Sequence, residues 1–295
     1  MSNYLLKERA PGLDAALALA KSQKMMRPEQ TATFNGSANQ CLEIPSNADL
    51  AMDVNRPLFC GGWIKCNGPF PPAAPQWGMY KWKQPSTLGG DYGWGVNFST
   101  SAGVNLPSSR FLYERKSIST GALAGFFTGS SPTLISPAYT PFNGNWRFLT
   151  WAFDPQKWSD NVGRLYFGRG EEITSNFAQA AGFVNADGSD EPLRFGGTGG
   201  AGTNSGILAN SGEVNLASFF VCRPNPLANV PTLFAQIRGE MFNNGYGRSY
   251  RSLSDKDKSD FGLVSFWNLD SIEDGVFKDS HGSNHAQIVN GVTVS

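Results

Sequence analysis

From residue 31 onward, the chain consists mainly of short apolar segments separated by turn residues, and several alternate apolar and polar positions with a period of two. The segments that fit strands are 41–45, 58–66, 77–83, 92–99, 110–117, 123–129, 146–154, 163–170 and 214–223. This number of short strands predicts an all-β fold with two stacked antiparallel sheets and a jelly-roll connection.

The segment 146–154, WRFLTWAFD, has a different pattern, because it is largely apolar on both faces. Trp146 and Phe148 fall on one face of a strand, and Leu149 and Trp151 fall on the other. A strand of this kind is typical of a sheet that is covered on both sides.

The first thirty residues carry a helical pattern instead, with Leu13 and Leu17 at helical spacing. This pattern predicts a short N-terminal helical arm over residues 1–30. A single short amphipathic helix is not stable alone. The arm must therefore dock either on its own domain or on another chain, and the sequence leaves both possibilities open.

Near the C-terminus, the sequence predicts one short helix from residue 231 to about 242. Pro231 suits the first helical turn, Phe234 and Ile237 give an apolar stripe, and Asn244-Gly245 ends the helix. We expect the following polar segment, SDKDKSD, to form a solvated turn, and GLVSFWNLD to return to a strand.

The amino-acid composition argues against nucleic acids and membrane surfaces as partners of this chain. Charged residues make up 16% of the chain and the net charge is zero, so the chain lacks the basic excess that nucleic acids and membrane surfaces attract. No apolar run is long enough for a membrane span, and the N-terminus does not fit a signal peptide. We therefore expect synthesis in the cytosol and four reduced, mostly buried cysteines: Cys41, Cys60, Cys66 and Cys222.

The sequence contains no recognisable combination of catalytic residues. A glycosidase commonly needs a pair of carboxylates that flank the bond it breaks, but the acidic clusters, such as Glu171-Glu172, lie in turn-like sequence. No G-x-S-x-G motif occurs. The two histidines, His281 and His285, lie in a polar tail, where we expect exposed loop residues. The sequence therefore predicts a protein that is not an enzyme.

Two neighbouring predicted strands are rich in aromatic residues and carry polar residues beside the rings. The aromatic residues are Trp77, Tyr80, Trp82, Tyr92 and Trp94, and the polar residues are Asp91 and Asn97. Rings on the face of a sheet can stack on sugars while polar neighbours bind hydroxyl groups. The same rings can also fill the core between the sheets or form a protein interface. All seven residues are candidates for glycan binding, and the alternatives stay open.

The C-terminal tail carries oxygen ligands at short spacing. Asp270, Asp279 and Asn284, with nearby carbonyl groups, could hold calcium, which prefers such ligands. We expect no other cofactor.

Four groups of segments resemble, in order and spacing, the LamG-like (concanavalin A-like) lectin and glucanase domains. In chain order, they are Phe34-Asn35-Gly36 with LEIP at 42–45, FCGGWIK at 59–65, WRFLTWAFD at 146–154 with GRLYFGRG at 163–170, and VNLASFFV at 214–221 before the predicted helix. The resemblance covers roughly residues 31–240. It implies a two-sheet, concanavalin A-like jelly roll.

The chain also departs from the family pattern. Asn35 and Asn215 stand where the family commonly has acidic residues, which weakens the expectation of the family's calcium site. Residues 262–291 resemble a segment that often precedes such a domain, but here they follow it. The resemblance therefore divides the chain into an arm (1–30), a LamG-like domain (31–240) and an extension (241–295) that packs on the sandwich or on a neighbour.

These observations favour a non-enzymatic structural or interaction protein with a lectin-like sandwich. The resemblance implies a bacteriophage virion component, either a capsid decoration or a tail-associated protein, made in the host cytoplasm. We expect it to form a homo-oligomer or part of a large assembly. It would contact other virion proteins through Met1–Gln30 and the C-terminal tail, without binding nucleic acid or membrane. The alternative is a carbohydrate-binding adhesin module that recognises host or environmental glycans.

Overall fold

The computed structural model of the protein describes residues 29–35, 40–51, 56–67, 76–83, 92–101, 104–116, 123–127, 144–154, 162–169, 172–179, 192–196, 213–225 and 228–295. The predicted N-terminal helix, within residues 1–28, lies outside these residues.

The described residues form sixteen strands and two α-helices. In chain order they are β1 (Ala32–Phe34), β2 (Cys41–Ile44), β3 (Leu58–Cys66), β4 (Gln76–Lys83), β5 (Tyr92–Ser101), β6 (Val104–Lys116), β7 (Leu123–Phe127), β8 (Arg147–Asp154), β9 (Val162–Arg169), β10 (Glu172–Gln179), β11 (Leu193–Gly196), β12 (Val214–Cys222), α1 (Val230–Phe242), α2 (Asp255–Asp260), β13 (Leu263–Trp267), β14 (Val276–Phe277), β15 (Ala286–Val289) and β16 (Thr293–Val294).

Eight strands form one antiparallel sheet, which we call sheet A. Their order is β10-β9-β8-β3-β12-β1-β16, and β13 also pairs with β12. The short strands β1 and β13 share one edge of β12, with Ala32 opposite Leu216 and Trp267 opposite Phe219. Between them, Ser218 has a φ of 51° and donates its N–H to the Asn268 carbonyl oxygen at 3.0 Å. The ladder is thus interrupted where the two short strands meet.

The other eight strands form a second antiparallel sheet, sheet B, in the order β14-β15-β2-β11-β4-β5-β6-β7. Its central strands β4, β5 and β6 are eight to thirteen residues long and run consecutively along the chain. Short strands from distant parts of the chain complete the other side of the sheet.

Sheets A and B pack face to face. The ring of Phe195 in β11 lies 5.1 Å from Phe219 in β12 and 5.3 Å from Trp267 in β13, both in edge-to-face geometry. Met79 and Leu193 are fully buried on the same face of sheet B. These contacts confirm the predicted all-β, two-sheet antiparallel sandwich.

Helix α1 covers the other face of sheet A. The rings of Phe59 and Phe234 meet at 5.8 Å, and those of Trp63 and Phe242 stack at 5.9 Å. In β8, the five residues from Phe148 to Ala152 are at most 2% exposed. The prediction that this strand is covered on both faces is confirmed, because sheet B lies on one side and α1 on the other.

The bounds of α1 follow from its caps. The Asn229 side chain accepts a hydrogen bond from the Thr232 N–H at 3.2 Å, and Pro231 lies in the first turn, where it costs no helical hydrogen bond. Asn243, with a φ of 47°, ends the helix in the left-handed region. The predicted helix from 231 to about 242 therefore matches α1.

The segment after α1 contributes to both sheets. β13 pairs with β12, and β15 pairs with β2. β16 pairs with β1, where Thr31 and Ser295 exchange two backbone hydrogen bonds of 3.0 and 3.2 Å. The sequence left open whether this segment packs on the sandwich or on a neighbour, and the structure places its four strands within the sheets.

Two local expectations were wrong. The segment SDKDKSD forms helix α2 rather than a turn, because Ser254 and Asp257 form a reciprocal capping box at its start. Glu172 begins β10 rather than lying in a turn, and it pairs with Arg169 across the β9–β10 hairpin.

Three of the four cysteines, Cys41, Cys60 and Cys222, are buried and free, as predicted. Cys60 lies opposite Val221 and Cys222 lies opposite Phe59, so the two thiols point to opposite faces of sheet A. Burial raises the pKa of the Cys41 thiol to about 11 and raises the pKa values of Cys60 and Cys222. These thiols are therefore protonated at neutral pH.

Among the described residues, neither helix has the length and apolar character needed to cross a membrane.

Candidate functional site

Sheet B has one face turned towards sheet A and a second face turned away, which we call the outer face. Met79 and Phe195 belong to the face that contacts sheet A, so the alternation of strand positions assigns Tyr80 and Arg194 to the outer face. The outer face is open to solvent at β15, where Gln287 is exposed.

One row of positions crosses the outer face with polar residues at one end. Glu43, Arg194, Tyr80, Gly95 and Leu112 lie opposite one another in successive strands. Arg194 Nε donates to Glu43 Oε2 at 2.8 Å, and the two side chains are 20% and 35% exposed. A partly exposed ion pair therefore stands next to position 80.

A second row runs parallel to the first. Trp82 lies opposite Gly93, which lies opposite Glu114, which lies opposite Gly125. The aromatic positions 80 and 82 thus each have a glycine as their neighbour in β5. A glycine within a strand often marks a place where a ligand approaches the backbone closely.

Trp77 and Asn97 join the same face. They lie opposite each other in the two strands. Asn97, Gly95 and Gly93 stand at every second position of β5 and therefore share one face of the sheet. A bulge between Trp77 and Met79 shifts the alternation of β4, which lets Trp77 share a face with Tyr80 despite the odd spacing.

The other aromatic candidates fall on the inner face. Tyr92 lies opposite Lys83, and Trp94 lies opposite Lys81, which is only 1% exposed and donates from Nζ to Ser46 Oγ at 3.1 Å. The register therefore divides the seven candidates. Four share the outer face, two share the inner face, and Asp91 lies outside the described residues.

The structure brings two of the three metal candidates together. Asp279 is 5% exposed, and its carboxylate accepts N–H groups from Phe266 and His281 at 3.0 Å and from Asn284 at 3.2 Å. Asp270 is exposed and accepts a hydrogen bond from Ser271 instead. The Asp279 carboxylate is thus bonded to three donors of its own chain.

Asn284 and His285 continue this polar network. Asn284 donates to Ser265 Oγ at 2.7 Å, and its carbonyl oxygen accepts the indole N–H of Trp267 at 2.7 Å. Asp279 donates its N–H to His285 Nδ1 at 3.1 Å. His285 was expected to be an exposed loop residue, but it helps to close the loop 279–285. Within the described part of the chain, no group of three or more His, Cys, Asp or Glu residues is placed to hold a metal ion.

Sequence reasoning missed a polar cleft of about 490 Å³ beside this loop. Three separate segments line it: 249–251, 268–273 and 278–280. The one local feature of the sequence that points to this cleft is the segment EDG at 273–275, since Asp-Gly is typical of a hairpin turn. In the structure, Asp274 and Gly275 both have positive φ and form the turn between the paired residues Glu273 and Val276.

Comparisons with known proteins find only distant likenesses. No family profile matches the sequence, and no curated protein sequence matches it significantly. Among solved structures, the chain is similar to the binding domain of Paraclostridial Mosquitocidal Protein 1, with 11% identity and a TM-score of 0.41, covering 72% of this chain and 44% of that one.

Two further solved structures are similar to the chain. Full-length tailspike protein 2 of an Escherichia coli O157:H7 bacteriophage has 9% identity and a TM-score of 0.40, covering 84% of this chain and 31% of that one. Peanut lectin has 13% identity and a TM-score of 0.27, covering 66% and 86%. The chain spans less than half the length of the first two proteins. These values define no family, so the function has to be sought in the chain's own residues.

Proposed function

We propose that this chain is a non-enzymatic interaction protein that binds carbohydrate on the outer face of sheet B. One observation carries the proposal: the strand register places Tyr80 and Trp82 in adjacent rows of that face, each next to a glycine of β5. Gly93 and Gly95 have no side chain that could cover the backbone beside the two aromatic positions.

The chemistry of the two rows suits a sugar. A pyranose ring offers an apolar face that can lie on an aromatic ring, and hydroxyl groups at its rim that both donate and accept hydrogen bonds. Arg194 and Glu43, at one end of the first row, provide charged donors and acceptors. Glu114, in the second row, supplies a further carboxylate position.

We further propose that the sandwich is a concanavalin A-like jelly roll and that the protein works in a bacteriophage virion. The support is the resemblance of residues 31–240 to LamG-like domains. In this setting, residues 1–30 attach the domain to other virion proteins.

Deletion of residues 1–30 is expected to leave a soluble domain that no longer joins its assembly, whereas normal incorporation would contradict the attachment role.

A glycan array with four proteins tests carbohydrate binding on the outer face. Wild type and the inner-face control Trp94→Phe are expected to bind the same glycans. Trp82→Ala removes an aromatic ring from the outer face, and Gly93→Thr adds a branched side chain beside it. Both should lower affinity by about tenfold or more, which corresponds to roughly 1.4 kcal/mol.

Gly93→Thr makes the test specific. Threonine favours strands, so a loss of binding with unchanged urea unfolding points to a blocked surface rather than to an unfolded domain. Each array is run with calcium and with EGTA, since we propose that binding needs no cofactor. If the wild type binds no glycan in either condition, or if Trp82→Ala and Gly93→Thr bind as well as the wild type, the proposed function is wrong.

A further inference from the structure

The polar cleft is built from three chain segments that Asn268 holds together. Its side chain donates to Ser280 Oγ at 3.3 Å and accepts the Tyr250 N–H at 3.4 Å. Its carbonyl oxygen accepts the Ser218 N–H at 3.0 Å, which ties the cleft to the central strand β12. The walls are therefore fixed to the sandwich core before any ligand arrives.

The floor of the cleft contains a strained residue. Leu269 lies in the left-handed region with a φ of 63°, which is sterically unfavourable for a residue with a Cβ. It is only 2% exposed, so its side chain is anchored below the floor. Backbone strain that the surrounding structure maintains is concentrated at functional sites in proteins.

The charged residues of the cleft balance one another. Arg251 and Lys278 contribute positive charge, and Asp270 and Glu273 contribute negative charge. Lys278 is paired with Asp274 at 2.9 Å. Within the described residues, the Arg251 and Glu273 side chains make no hydrogen bond or ion pair, which leaves one strong donor group and one strong acceptor group facing the cleft.

The position of Glu273 is fixed although its carboxylate has no partner. Its N–H and carbonyl groups form two backbone hydrogen bonds with Val276, of 3.0 and 3.1 Å, across the turn at Asp274 and Gly275. The salt bridge from Lys278 to Asp274 closes the same turn. The acceptor therefore stands on a short, closed hairpin.

We propose that this cleft is a second carbohydrate site that takes a neutral mono- or disaccharide, with Arg251 and Glu273 binding its hydroxyl groups. A hydroxyl group both donates and accepts, so a ligand with several hydroxyl groups matches walls that carry separate donors and acceptors. The volume of about 490 Å³ lies within the range of about 300–1,000 Å³ that is usual for small-molecule sites.

The lining argues against other ligand classes. Its charged groups balance, so it favours neither an anion nor a cation. Most of its residues are polar, and the ring of Tyr250 offers the main apolar surface, so an apolar ligand would leave many polar groups unpaired. This site does not rest on the proposed function, because it shares no residue with the outer face of sheet B.

Binding to immobilised saccharides tests the second site in the full-length chain. The probes are glucose, galactose, mannose, N-acetylglucosamine and their disaccharides, with N-acetylneuraminic acid and glucosamine as the charged arms. All variants carry Trp82→Ala to silence the outer face. In this background, Arg251→Ala and Glu273→Gln should each weaken binding of a neutral sugar by about tenfold or more.

Lys256→Ala is the matched control, because it removes a charge from the exposed helix α2 outside the cleft. It should leave the affinity unchanged. The inference is overturned if the Trp82→Ala protein binds no neutral sugar, if it binds only the charged arms, or if Arg251→Ala and Glu273→Gln behave like Lys256→Ala. If only the proposed site on sheet B is wrong, the Trp82→Ala protein should bind neutral sugars as tightly as the wild type, and Arg251→Ala and Glu273→Gln should still weaken that binding.

Discussion

Gly61 and Gly62 of β3 set how closely sheet A packs against the layers on its two sides. A Cβ at Gly61 would lie 2.6 Å from the Leu149 carbonyl oxygen and 3.0 Å from the ring of Phe220, on the side that α1 covers. A Cβ at Gly62 would lie 2.4 Å from the ring of Phe219, on the side of sheet B. The close packing of the three layers therefore requires both glycines.

We predict that Gly62→Ala lowers the free energy of unfolding by about 1–3 kcal/mol, because the methyl group overlaps a ring that cannot move in the packed core. Urea unfolding measures the change. Gly239→Ala in α1 is the control, because a Cβ there would meet nothing within 4 Å beyond its own helical turn. It should raise stability by up to about 1 kcal/mol. Equal effects of the two substitutions would contradict the packing argument.

The sequence could not reveal the environment of single residues such as Lys81. A lysine in an alternating segment is expected in solvent, but Lys81 is buried on the inner face. A bulge near Met79 also shifts which positions of β4 share a face, and a bulge has no periodic signal. For this reason the aromatic candidates could be listed from the sequence but not divided between the two faces.

At the scale of elements, α1 is attached to sheet A mainly through aromatic rings. Phe234 is 1% exposed and meets Phe59 edge to face. Val230, Ile237 and Met241 are buried on the same side of the helix. The helix therefore depends on this contact for its place over the sheet.

We predict that Phe234→Ala costs about 3–5 kcal/mol, because the ring leaves a cavity between α1 and β3. Urea unfolding followed by circular dichroism provides the measurement. Gln236→Ala, at an exposed position of the same helix, should change the stability by less than about 0.5 kcal/mol. A cost below 1 kcal/mol for Phe234→Ala would show that α1 does not seal the sheet.

The elements predicted from the sequence are those with a local pattern. β3, β8 and α1 have long apolar repeats or clear caps, and their bounds agree with the predictions to within a residue or two. β10 was missed because Ser, Thr and Asn interrupt its apolar positions. β14 and β16 have two residues each, which is too short for a local pattern; β14 forms by pairing with the next strand, β15, and β16 by pairing with the distant β1.

At the scale of the whole molecule, the last strand of the described chain closes the edge of sheet A beside the first. The hydroxyl groups of Thr33 and Ser295 also meet at 2.6 Å. We predict that deletion of residues 293–295 speeds hydrogen exchange at the Thr31 amide by at least about tenfold, because this amide loses its acceptor.

Exchange measured by NMR decides this prediction. The Ser218 amide, which donates to Asn268, should keep its protection in the shortened chain. Ser295→Ala removes only the hydroxyl contact, so the Thr31 amide should exchange nearly as slowly as in the wild type. Unchanged exchange at Thr31 after the deletion would mean that β16 does not stabilise this edge.

Only part of the candidate sites could be predicted at this scale. The aromatic positions of sheet B lie in two strands that are consecutive in the chain, so their closeness could be predicted from the sequence. The cleft joins segments 249–251, 268–273 and 278–280 through the side chain of Asn268, and its polar residues have no spacing that distinguishes them from an ordinary loop. Only the folded chain shows their shared cavity.

The position of β1 also has a consequence for the order of events during translation. β1 lies between β12 and β16, so one of its neighbours is made about 180 residues later and the other about 260 residues later. At ribosomal rates of about 5–20 residues per second, residues 32–34 wait roughly ten seconds or more for the first neighbour and longer for the second. During that interval the nascent chain carries an unpaired apolar segment. β1 can therefore take its place in sheet A only after β12 and then β16 have emerged from the ribosome.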